Sequence, residues 1–276
     1  VTDWTDADVE HRNNDDSLLQ QAVAGIEQLN LRHNTTRFLL LHRGRKWNPA
    51  QSAWMGWERK RGKLHELNRL LRSATDTSFF KIVGSVPENI RYVITLDADT
   101  RLPRDAARRL IGKMAHPLNQ ARFDASQGRV VEGYGIMQPR VTPSLPVGWQ
   151  GSEFQRIYSA SRGIDPYVFT VSDVYQDLFA EGSFAGKGIY DVDAFEAALQ
   201  HKIPENALLS HDLFEGVFAR AALVTDVEVV EEYPERYAVD ASRQHRWVRG
   251  DWQLLPWMTT WRRSGIPPLG LWKMVD

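Results

Sequence analysis

The 276-residue chain combines 42% hydrophobic with 25% charged residues, a globular composition that argues against wholesale disorder. Its 34 basic and 35 acidic side chains nearly cancel, so no overall field selects nucleic acid or anionic lipid. Without cysteine there can be no disulfide, thiolate metal site or cysteine nucleophile, and the longest apolar runs fall well short of the roughly 18–20 residues that span a bilayer.

The N-terminal quarter of the chain is predicted to alternate strands with helices. Residues 1–8 have the pattern of a strand that ends in an acidic loop, so we expect an N-terminal strand to be missing and interpret the chain as an excised part of a longer protein. Apolar residues at helical spacing predict a helix over 16–31, and a short apolar run predicts a strand over 36–42. A loop containing glycine, proline and tryptophan follows at 43–57, and a leucine face predicts a helix over 58–73.

The rest of the chain continues this alternation without an internal repeat or a low-complexity linker. Buried strands are predicted over 92–96 and 135–141, with a helix between them over 105–115. The further elements predicted are helices over 149–163, 173–180, 193–199, 211–221 and 241–261 and a strand over 223–230. Residues 182–190 are predicted to form a glycine-punctuated turn that leads into a short strand. We expect Pro256 to interrupt or kink the last helix. Together these elements predict one mixed α/β domain.

Charge is segregated along the chain although the totals nearly cancel. Residues 37–72 contain ten Lys or Arg against two Glu, whereas residues 165–240 contain sixteen Asp or Glu against four Lys or Arg. Such runs are most often solvated faces. Here both coincide with motifs that bear chemistry, which favours a functional origin.

The sharpest local pattern is an apolar strand that ends in Asp97-Ala98-Asp99. Ligands of open α/β sheets bind beyond the carboxyl ends of strands, where two carboxylates can hold a hard divalent cation that neutralises a diphosphate leaving group. Aspartates at strand ends are also common turn residues, so the pattern alone is weak. A haloacid dehalogenase phosphatase loop starts similarly, but it takes Thr or Val two residues after the second Asp, where this chain has Arg101. We therefore disfavour that alternative.

Three further motifs have both a functional and a structural interpretation. Residues 57–68 place four cations at the start of a helix, which suits a phosphate group or a solvated basic turn. Ser210 is expected to cap the next helix, with Asp212 in its first turn, a place where carboxylates are also common for structural reasons. Residues 243–252 put aromatic rings beside guanidinium groups, which suits sugars and diphosphate or a helix lying on the domain or a membrane interface.

The order of these motifs is more specific than any one of them. A basic Gly-Lys segment, a strand ending in Asp-Ala-Asp, a Gly-Ser turn, Ser-His-Asp and Arg-Trp follow an early acidic loop. This order resembles the processive inverting glycosyltransferases of the GT-A fold, which include cellulose synthase and the osmoregulated periplasmic glucan glucosyltransferases. The amino-acid sequence at 54–64 and 181–184 is most similar to the glycosyltransferase domain of the cyclic β-1,2-glucan synthases.

The resemblance covers nearly the whole chain and implies a fold. It implies a single GT-A (nucleotide-diphospho-sugar transferase) domain, with a mixed, mostly parallel sheet and helices on both faces. Within that domain it implies a donor nucleotide-binding half over 1–130 and an acceptor and catalytic half over 131–276.

The resemblance also implies five donor-side residues. Asp3 matches the acidic position that contacts the uracil end of the donor, and Lys63 matches a lysine near the nucleotide. Asp97 and Asp99 match the metal-binding aspartates, with Asp99 the more direct ligand. Arg246 matches the arginine that meets the diphosphate.

On the acceptor side, the resemblance implies a base and an acceptor surface. Asp212 matches the general base. Glu181, Gly182 and Ser183 match a turn beside the acceptor sugar, and Trp247 matches a tryptophan that contacts the acceptor.

One position departs from the family pattern. The motif Gln-x-x-Arg-Trp has glutamine where this chain has Arg243, with Gln244 following. The acceptor contacts are therefore expected to differ in detail.

The implied function is inverting transfer of glucose from UDP-glucose onto a growing β-1,2-glucan chain, with Mg²⁺ or Mn²⁺ as cofactor. The expected partners are UDP-glucose and a β-glucan acceptor, and no nucleic acid. Two alternatives stay open: a GT-A synthase that makes another β-glucan linkage, and a catalytically inactive sugar-nucleotide-binding module.

The resemblance implies a place in the cell as well. Such synthases are long proteins that carry transmembrane and other domains beside this one, so we expect this domain at the cytoplasmic face of the bacterial inner membrane. Tryptophans and arginines over 247–272 favour a membrane interface. The same tryptophans would also suit a glucan path or the protein core.

Overall fold

The computed structural model describes residues 1–144, 151–158, 173–208 and 211–276. The chain forms two compact units, residues 1–90 and 91–276. The functional halves predicted from the resemblance divide instead at 130/131, and that division stays a prediction.

Residues 1–90 contain a three-stranded sheet, a hairpin and two helices. The elements are β1 (Thr2–Asp3), α1 (Asp15–Arg32), β2 (Leu40–Arg43), β3 (Lys46–Asn48), β4 (Ala53–Met55), α2 (Arg59–Leu70) and β5 (Phe79–Val83). The sheet order is β1-β2-β5, with β1 parallel and β5 antiparallel to β2. Both predicted helices, α1 and α2, are confirmed.

Two predictions in this unit need correction. The strand predicted over 36–42 begins only at Leu40, because the Asn30 side chain of α1 satisfies both backbone polar groups of Phe38. The predicted loop over 43–57 contains the β3–β4 hairpin, in which Trp47 pairs with Trp54. Cross-strand aromatic pairs stabilise such hairpins, a contact that a count of glycine and proline does not reveal.

Residues 91–276 alternate strands and helices throughout their described length. The strands are β6 (Tyr92–Thr95), β7 (Thr100–Arg101), β8 (Arg122–Asp124), β9 (Arg129–Glu132), β10 (Ile136–Pro143), β11 (Gly188–Asp191) and β12 (Ala221–Glu231). The helices are α3 (Ala106–Met114), α4 (Glu153–Tyr158), α5 (Val174–Phe179), α6 (Val192–Leu199), α7 (Asp212–Ala219), α8 (Tyr237–Trp252), α9 (Leu255–Thr259), α10 (Trp261–Ser264) and α11 (Pro268–Val275).

The larger sheet has the order β6-β11-β10-β12-β7. Strands β6, β10 and β12 run in one direction, but β11 runs the opposite way between β6 and β10, and β7 pairs antiparallel with β12. The sheet is therefore mixed, as predicted, whereas the expectation of mostly parallel pairing is wrong. One reversed strand inserted in the middle converts two neighbouring pairings to antiparallel.

Helices cover both faces of this sheet around its central strands. Side chains alternate between the faces of a strand, and Ile136 packs in a cluster with Phe214 and Phe218 of α7, while the next residue, Met137, packs with Leu110 of α3. The predicted mixed α/β fold with helices on both faces is confirmed to this extent. The GT-A assignment and the missing strand stay predictions.

The C-terminal part differs from the single helix predicted over 241–261. Helix α8 ends at Trp252, and Pro256 lies in the first turn of α9, where a residue without an amide hydrogen is tolerated. The predicted interruption at Pro256 is thus confirmed, and α11 is an additional helix. In the described ranges no helix has the length and apolar character needed to cross a membrane.

Candidate active site

Asp3, the predicted uracil contact, lies at the end of β1 and is held by two cations. Arg43 of β2 donates from Nε to Asp3 Oδ1 over 2.6 Å, and Lys63 Nζ of α2 lies 3.2 Å from Asp3 Oδ2. The parallel register places Asp3 opposite Arg43. Within residues 1–90 the structure therefore brings together two predicted donor-binding residues, Asp3 and Lys63.

Arg43 organises this cluster, although the sequence analysis did not include it in the site. Its side chain is fully buried, and its guanidinium also donates to Glu66 Oε2 over 2.8 Å and to the carbonyls of Trp57 and Arg59. Burial alone would raise the pKa of Glu66, but hydrogen bonds from Ser78 and Arg43 outweigh burial and lower it. The available signal was an arginine that directly follows an apolar strand.

Two glycines of the motif at 54–64 make room for this cluster. A Cβ on Gly56 would lie 3.0 Å from Asp3 Cγ and 3.1 Å from Arg43 Nη2. A Cβ on Gly62 would lie 2.0 Å from the carbonyl oxygen of Trp57, which no side chain can tolerate. Close packing against Asp3 and Arg43 thus favours glycine at 56, and the close approach of the Trp57 carbonyl requires it at 62.

The cations at the start of α2 are partly committed to ion pairs. Arg59 lies 2.6 Å from Asp6, and Arg61 lies 2.7 Å from Glu58. A phosphate group would compete with these carboxylates for the two arginines. The interpretation of this segment as a phosphate site stays a prediction.

The Asp-Ala-Asp turn follows β6, and its two carboxylates have different surroundings. Asp97 Oδ2 lies 3.3 Å from Lys187 Nζ, whereas Asp99 is exposed. The turn is tied down by backbone hydrogen bonds from Thr100 to Asp97 and from Glu232 to Asp99. Carboxylate oxygens are the hard ligands that Mg²⁺ and Mn²⁺ prefer, so the pair fits such a cation, with Asp99 the more accessible ligand.

Lys187 is a buried cation beside this turn that the sequence analysis missed. Its Nζ lies 2.9 Å from Glu231 Oε2 at the end of β12, in addition to its contact with Asp97. Burial alone would lower the pKa of Lys187, but the carboxylates of Glu231 and Asp97 outweigh burial and raise it. A lone lysine inside a glycine-rich turn was the signal that could have identified it.

Asp212, the predicted general base, begins α7 and packs against the glycine turn. Gly186 has a φ of +77°, and a Cβ there would lie 2.7 Å from Asp212 Oδ2. The Asp212 side chain is 30% exposed, so its carboxylate is accessible from solvent. Ser210, the predicted cap, lies outside the described residues, and His211 takes the capping position without a capping hydrogen bond from its side chain.

His211 and Glu215 support the start of α7 next to Asp212. His211 Nδ1 lies 2.9 Å from Glu215 Oε1 and 3.7 Å from Asp212 Oδ1. The three side chains offer ligand atoms within 4.8 Å of one another, a spacing that a metal ion could use. Since His211 and Glu215 are both buried and pair across one helical turn, we interpret the group as the support that orients Asp212.

The predicted acceptor turn at Glu181, Gly182 and Ser183 is fixed against β12. The Gly182 amide donates to the carbonyl of Ala221 over 2.8 Å, and a Cβ on Gly182 would lie 2.6 Å from the amide nitrogen of Leu223. Ser183 is half-buried. Glycine at 182 is therefore required by the close approach of two backbones.

The Glu181 side chain is engaged in structure. Its carboxylate lies 3.2 Å from Arg220 Nε and 3.9 Å from Lys273 Nζ, and Lys273 also donates to the carbonyls of Glu181 and Gly182. Burial lowers the pKa of Lys273, although Glu181 opposes this effect. The last helix, α11, thus pins the turn through one lysine.

Arg246 and Trp247 lie in α8 with different neighbours. Arg246 is exposed, whereas Trp247 is half-buried, with the Arg243 guanidinium 4.9 Å from its ring centroid. Arg243 Nη2 lies 2.8 Å from Asp240, and its Nη1 lies 3.9 Å from Glu231. The departure from the family motif at this position therefore puts a charged, stacked group where glutamine would supply neither charge nor stacking.

Within residues 91–276, two predicted site residues, Asp97 and Asp212, lie beside the segment 186–187. Asp212 packs against Gly186, Asp97 contacts Lys187, and Glu231 continues the contacts towards α8. The Arg246 side chain forms no hydrogen bond or ion pair within the described part of the chain.

The comparisons with known proteins point to one group of enzymes. No family model matches the chain. Over 279 aligned residues, it is 57% identical to the cyclic beta-(1,2)-glucan synthase NdvB of Rhizobium meliloti (strain 1021). The alignment covers all of this chain and 10% of that synthase, so the chain spans about a tenth of the relative that it matches. The chain is therefore homologous along its whole length to a segment of a cyclic beta-(1,2)-glucan synthase, which confirms the resemblance that its motifs carry.

Proposed function

We propose that the chain is a glucosyltransferase module that moves glucose from UDP-glucose onto the 2-hydroxyl of a growing β-1,2-glucan, with inversion. The observation that carries the proposal is the 57% identity along the whole chain to a cyclic beta-(1,2)-glucan synthase. The geometry supports it, because a carboxylate suited to proton transfer, Asp212, and one suited to a cation site, Asp97, flank the same turn at 186–187.

Asp212 is the proposed general base. The acceptor hydroxyl gives its proton to an Asp212 carboxylate oxygen while its own oxygen forms a bond to C1 of the glucose. The bond from C1 to the UDP oxygen breaks on the opposite face, and its electron pair leaves with the diphosphate. One displacement therefore inverts the configuration without a covalent enzyme intermediate. General-base assistance of this kind contributes about 10²–10⁴-fold.

Asp97, Asp99 and Arg246 are the residues proposed to act on the leaving group. The two aspartates would hold Mg²⁺ or Mn²⁺, and such a cation when bound supplies electrostatic stabilisation of the departing diphosphate. Arg246 is exposed and without an ion pair in the described ranges, so its guanidinium is available to pair with phosphate oxygens. Stabilisation of developing charge is commonly the largest catalytic contribution.

Binding of the donor nucleotide and of the acceptor sugar is assigned to further residues. Asp3, held by Arg43 and Lys63, presents a fixed carboxylate that suits an N–H donor of uracil, and Lys63 is placed near the nucleotide. Trp247 and the turn at 181–183 are assigned to the acceptor, since aromatic rings stack on the apolar faces of sugars.

We further propose that the module works at the cytoplasmic face of the bacterial inner membrane, beside transmembrane segments of a longer parent protein. Trp252 and Trp272 are each 68% exposed, as residues at headgroup level would be. Trp257 and Trp261 instead pack on the core around Phe214, so the tryptophan-rich segment serves both purposes.

Flotation with anionic vesicles at low salt tests this placement. We expect the double variant Trp252→Ser/Trp272→Ser to float less than the unsubstituted 276-residue chain, called the parent chain from here on. The two exposed rings are lost in this variant, while the core tryptophans remain. Equal flotation of both forms, or flotation of neither, contradicts an interfacial role for these rings.

Release of UDP from UDP-glucose tests the proposed activity. The chain is incubated with a β-1,2-linked glucose oligosaccharide and Mg²⁺ or Mn²⁺, and we expect UDP release, elongation of the oligosaccharide, and loss of both with EDTA. Linkage analysis of the product distinguishes β-1,2 from another β-linkage, which would assign the chain to a different synthase. UDP binding without release by the parent chain would instead identify an inactive sugar-nucleotide-binding module.

A further inference from the structure

A buried carboxylate, Glu231, connects two parts of the candidate active site that the motifs treat separately. Glu231 ends β12 and is only 4% exposed. Its Oε2 lies 2.9 Å from Lys187 Nζ, and its Oε1 lies 3.9 Å from Arg243 Nη1. The two oxygens therefore face two different cations.

On the donor side, Lys187 carries the contact to the Asp-Ala-Asp turn. Lys187 is 8% exposed, and its Nζ lies 3.3 Å from Asp97 Oδ2. The pairing of β11 with β6 places Gly188 opposite Thr95, which brings the lysine next to the end of β6. Because Lys187 lies between two carboxylates, its position depends on both.

On the acceptor side, Arg243 carries the contact to the predicted acceptor tryptophan. Its guanidinium carbon lies 4.9 Å from the ring centroid of Trp247 and 5.7 Å from that of Tyr233. Asp240, itself buried, accepts a hydrogen bond of 2.8 Å from Arg243 Nη2. The guanidinium is thus fixed beside Trp247 by aromatic rings and by two carboxylates.

We propose that Glu231 is a positioning residue that couples the Asp-Ala-Asp turn to Trp247 through Lys187 and Arg243. The inference rests on the proposed function, which gives Asp97 a donor-side role and Trp247 an acceptor-side role. Charges buried in this way depend on one another, because no water replaces a partner that moves or is lost. Donor binding that displaces Asp97 is therefore transmitted to the Trp247 ring and changes the affinity for the acceptor, and by linkage acceptor binding changes the affinity for the donor by the same factor.

The first arm of the test examines the chain without ligand. The chain is labelled with 5-fluorotryptophan, and the ¹⁹F resonance of Trp247 is assigned with Trp247→Phe. Glu231→Gln removes the shared charge at nearly constant size, and Arg243→Gln cuts the acceptor side alone. Glu232→Gln is the matched control, because this neighbouring glutamate is exposed and pairs with Arg101. We expect the first two variants to shift the Trp247 resonance and the control to leave it unchanged, with thermal unfolding confirming that each variant is folded.

The second arm adds UDP with Mg²⁺ and measures the same resonance together with UDP affinity by calorimetry. In the parent chain and in Glu232→Gln, we expect the ligand to shift the Trp247 resonance. In Glu231→Gln we expect that response to be lost and UDP affinity to fall about tenfold. In Arg243→Gln we expect the response to be lost while UDP affinity is unchanged, because Lys187 still holds Asp97.

The outcomes separate this inference from the proposed function. A Trp247 response in Glu231→Gln equal to that of the parent chain overturns the coupling, and so does loss of the response in Glu232→Gln. If the parent chain binds no UDP, the donor assignment fails. The ligand-free arm then still decides whether Glu231 positions Trp247, because an unshifted resonance in Glu231→Gln overturns that role.

Discussion

Two regions of the candidate active site, the turn at 181–183 and the start of α7, each present a carboxylate but use it differently. Glu181 lies between Arg220 and Lys273 and helps to anchor the last helix. Asp212 lies against a glycine and forms no ion pair with lysine or arginine within the described residues. Glu181, held by two cations on the side of the last helix, serves the fold, whereas Asp212, which has no lysine or arginine partner among the described residues, is available for the proposed proton transfer.

The same contrast recurs in the Asp-Ala-Asp turn. Asp97 is paired with the buried Lys187, while Asp99 is exposed to solvent. Glu181 and Asp97 are thus paired with cations, whereas Asp212 has no lysine or arginine partner among the described residues and Asp99 is exposed. The comparison supports the proposed roles of Asp212 in proton transfer and of Asp99 in direct metal contact.

The largest effect is expected from Asp212→Asn. Asparagine keeps the size of the side chain but is a far weaker base, so transfer should fall by about 10²–10⁴-fold while UDP affinity stays constant. UDP release at saturating UDP-glucose and calorimetry with UDP measure the two quantities. A parallel fall in UDP affinity would place Asp212 in nucleotide binding or in structure.

Gly186→Ala is expected to have the next largest effect. The added Cβ would lie 2.7 Å from Asp212 Oδ2 in a backbone conformation of positive φ, so the carboxylate must move. Displacement of a catalytic group by about 1 Å can cost about 10²-fold in rate, which sets the scale of the expected loss in UDP release.

Gly112→Ala is the matched control for this substitution. Gly112 lies inside α3, and a Cβ there meets no atom within 4 Å. We expect unchanged transfer and a gain in the free energy of unfolding of up to about 1 kcal/mol. Equal rates in Gly186→Ala and Gly112→Ala would remove the argument that the glycine turn positions Asp212.

Glu181→Gln is expected to reduce stability more than activity. Loss of the negative charge leaves Arg220 and the buried Lys273 without their shared carboxylate, which should lower the free energy of unfolding by about 1–3 kcal/mol. Transfer by the folded variant should fall far less than in Asp212→Asn, because the Glu181 carboxylate is held by Arg220 and Lys273. Glu132→Gln, which breaks an exposed pair with Arg122, is the matched control and is expected to leave the midpoint of chemical denaturation almost unchanged, because solvent screens exposed pairs.

The last expected effect concerns the pH dependence of stability and comes from a carboxylate of residues 1–90 that is fully committed to structure. The pKa of Glu66 is lowered in the folded state from its ordinary value of 4.5, so its stabilising contribution is complete above that value and is lost as the pH falls through the folded pKa. Glu66→Gln should therefore flatten the acid side of a plot of unfolding free energy against pH. Glu27→Gln, at an exposed position of α1, is the control for the substitution itself.

The sequence predicted the elements better than their partners. Helix α1, helix α2 and the strand before Asp97 follow from local periodicity, which depends only on neighbouring residues. The reversed direction of β11 and the shortened β2 depend on tertiary pairing, including the bond from Asn30 to Phe38. Local patterns do not contain that information.

The candidate site shows the same division. Motif order pointed to Asp97 and Asp212, and the structure places both around segment 186–187. Lys187 and Glu231 were missed because they are far apart in the chain and acquire significance only as a buried pair. The difference between Glu181 and Asp212 was also hidden, because Lys273, which pairs with Glu181, lies in a helix that periodicity did not predict.

The most direct test of the account measures Asp212→Asn and Glu181→Gln in one assay of UDP release, at equal saturation with UDP-glucose and with a β-1,2-linked oligosaccharide as acceptor. Both variants are first matched for folded fraction and UDP affinity by thermal unfolding and calorimetry. The account predicts that Asp212→Asn is slower than Glu181→Gln by at least about 10²-fold. Equal rates, or a slower Glu181→Gln, would contradict the assignment of the base to Asp212.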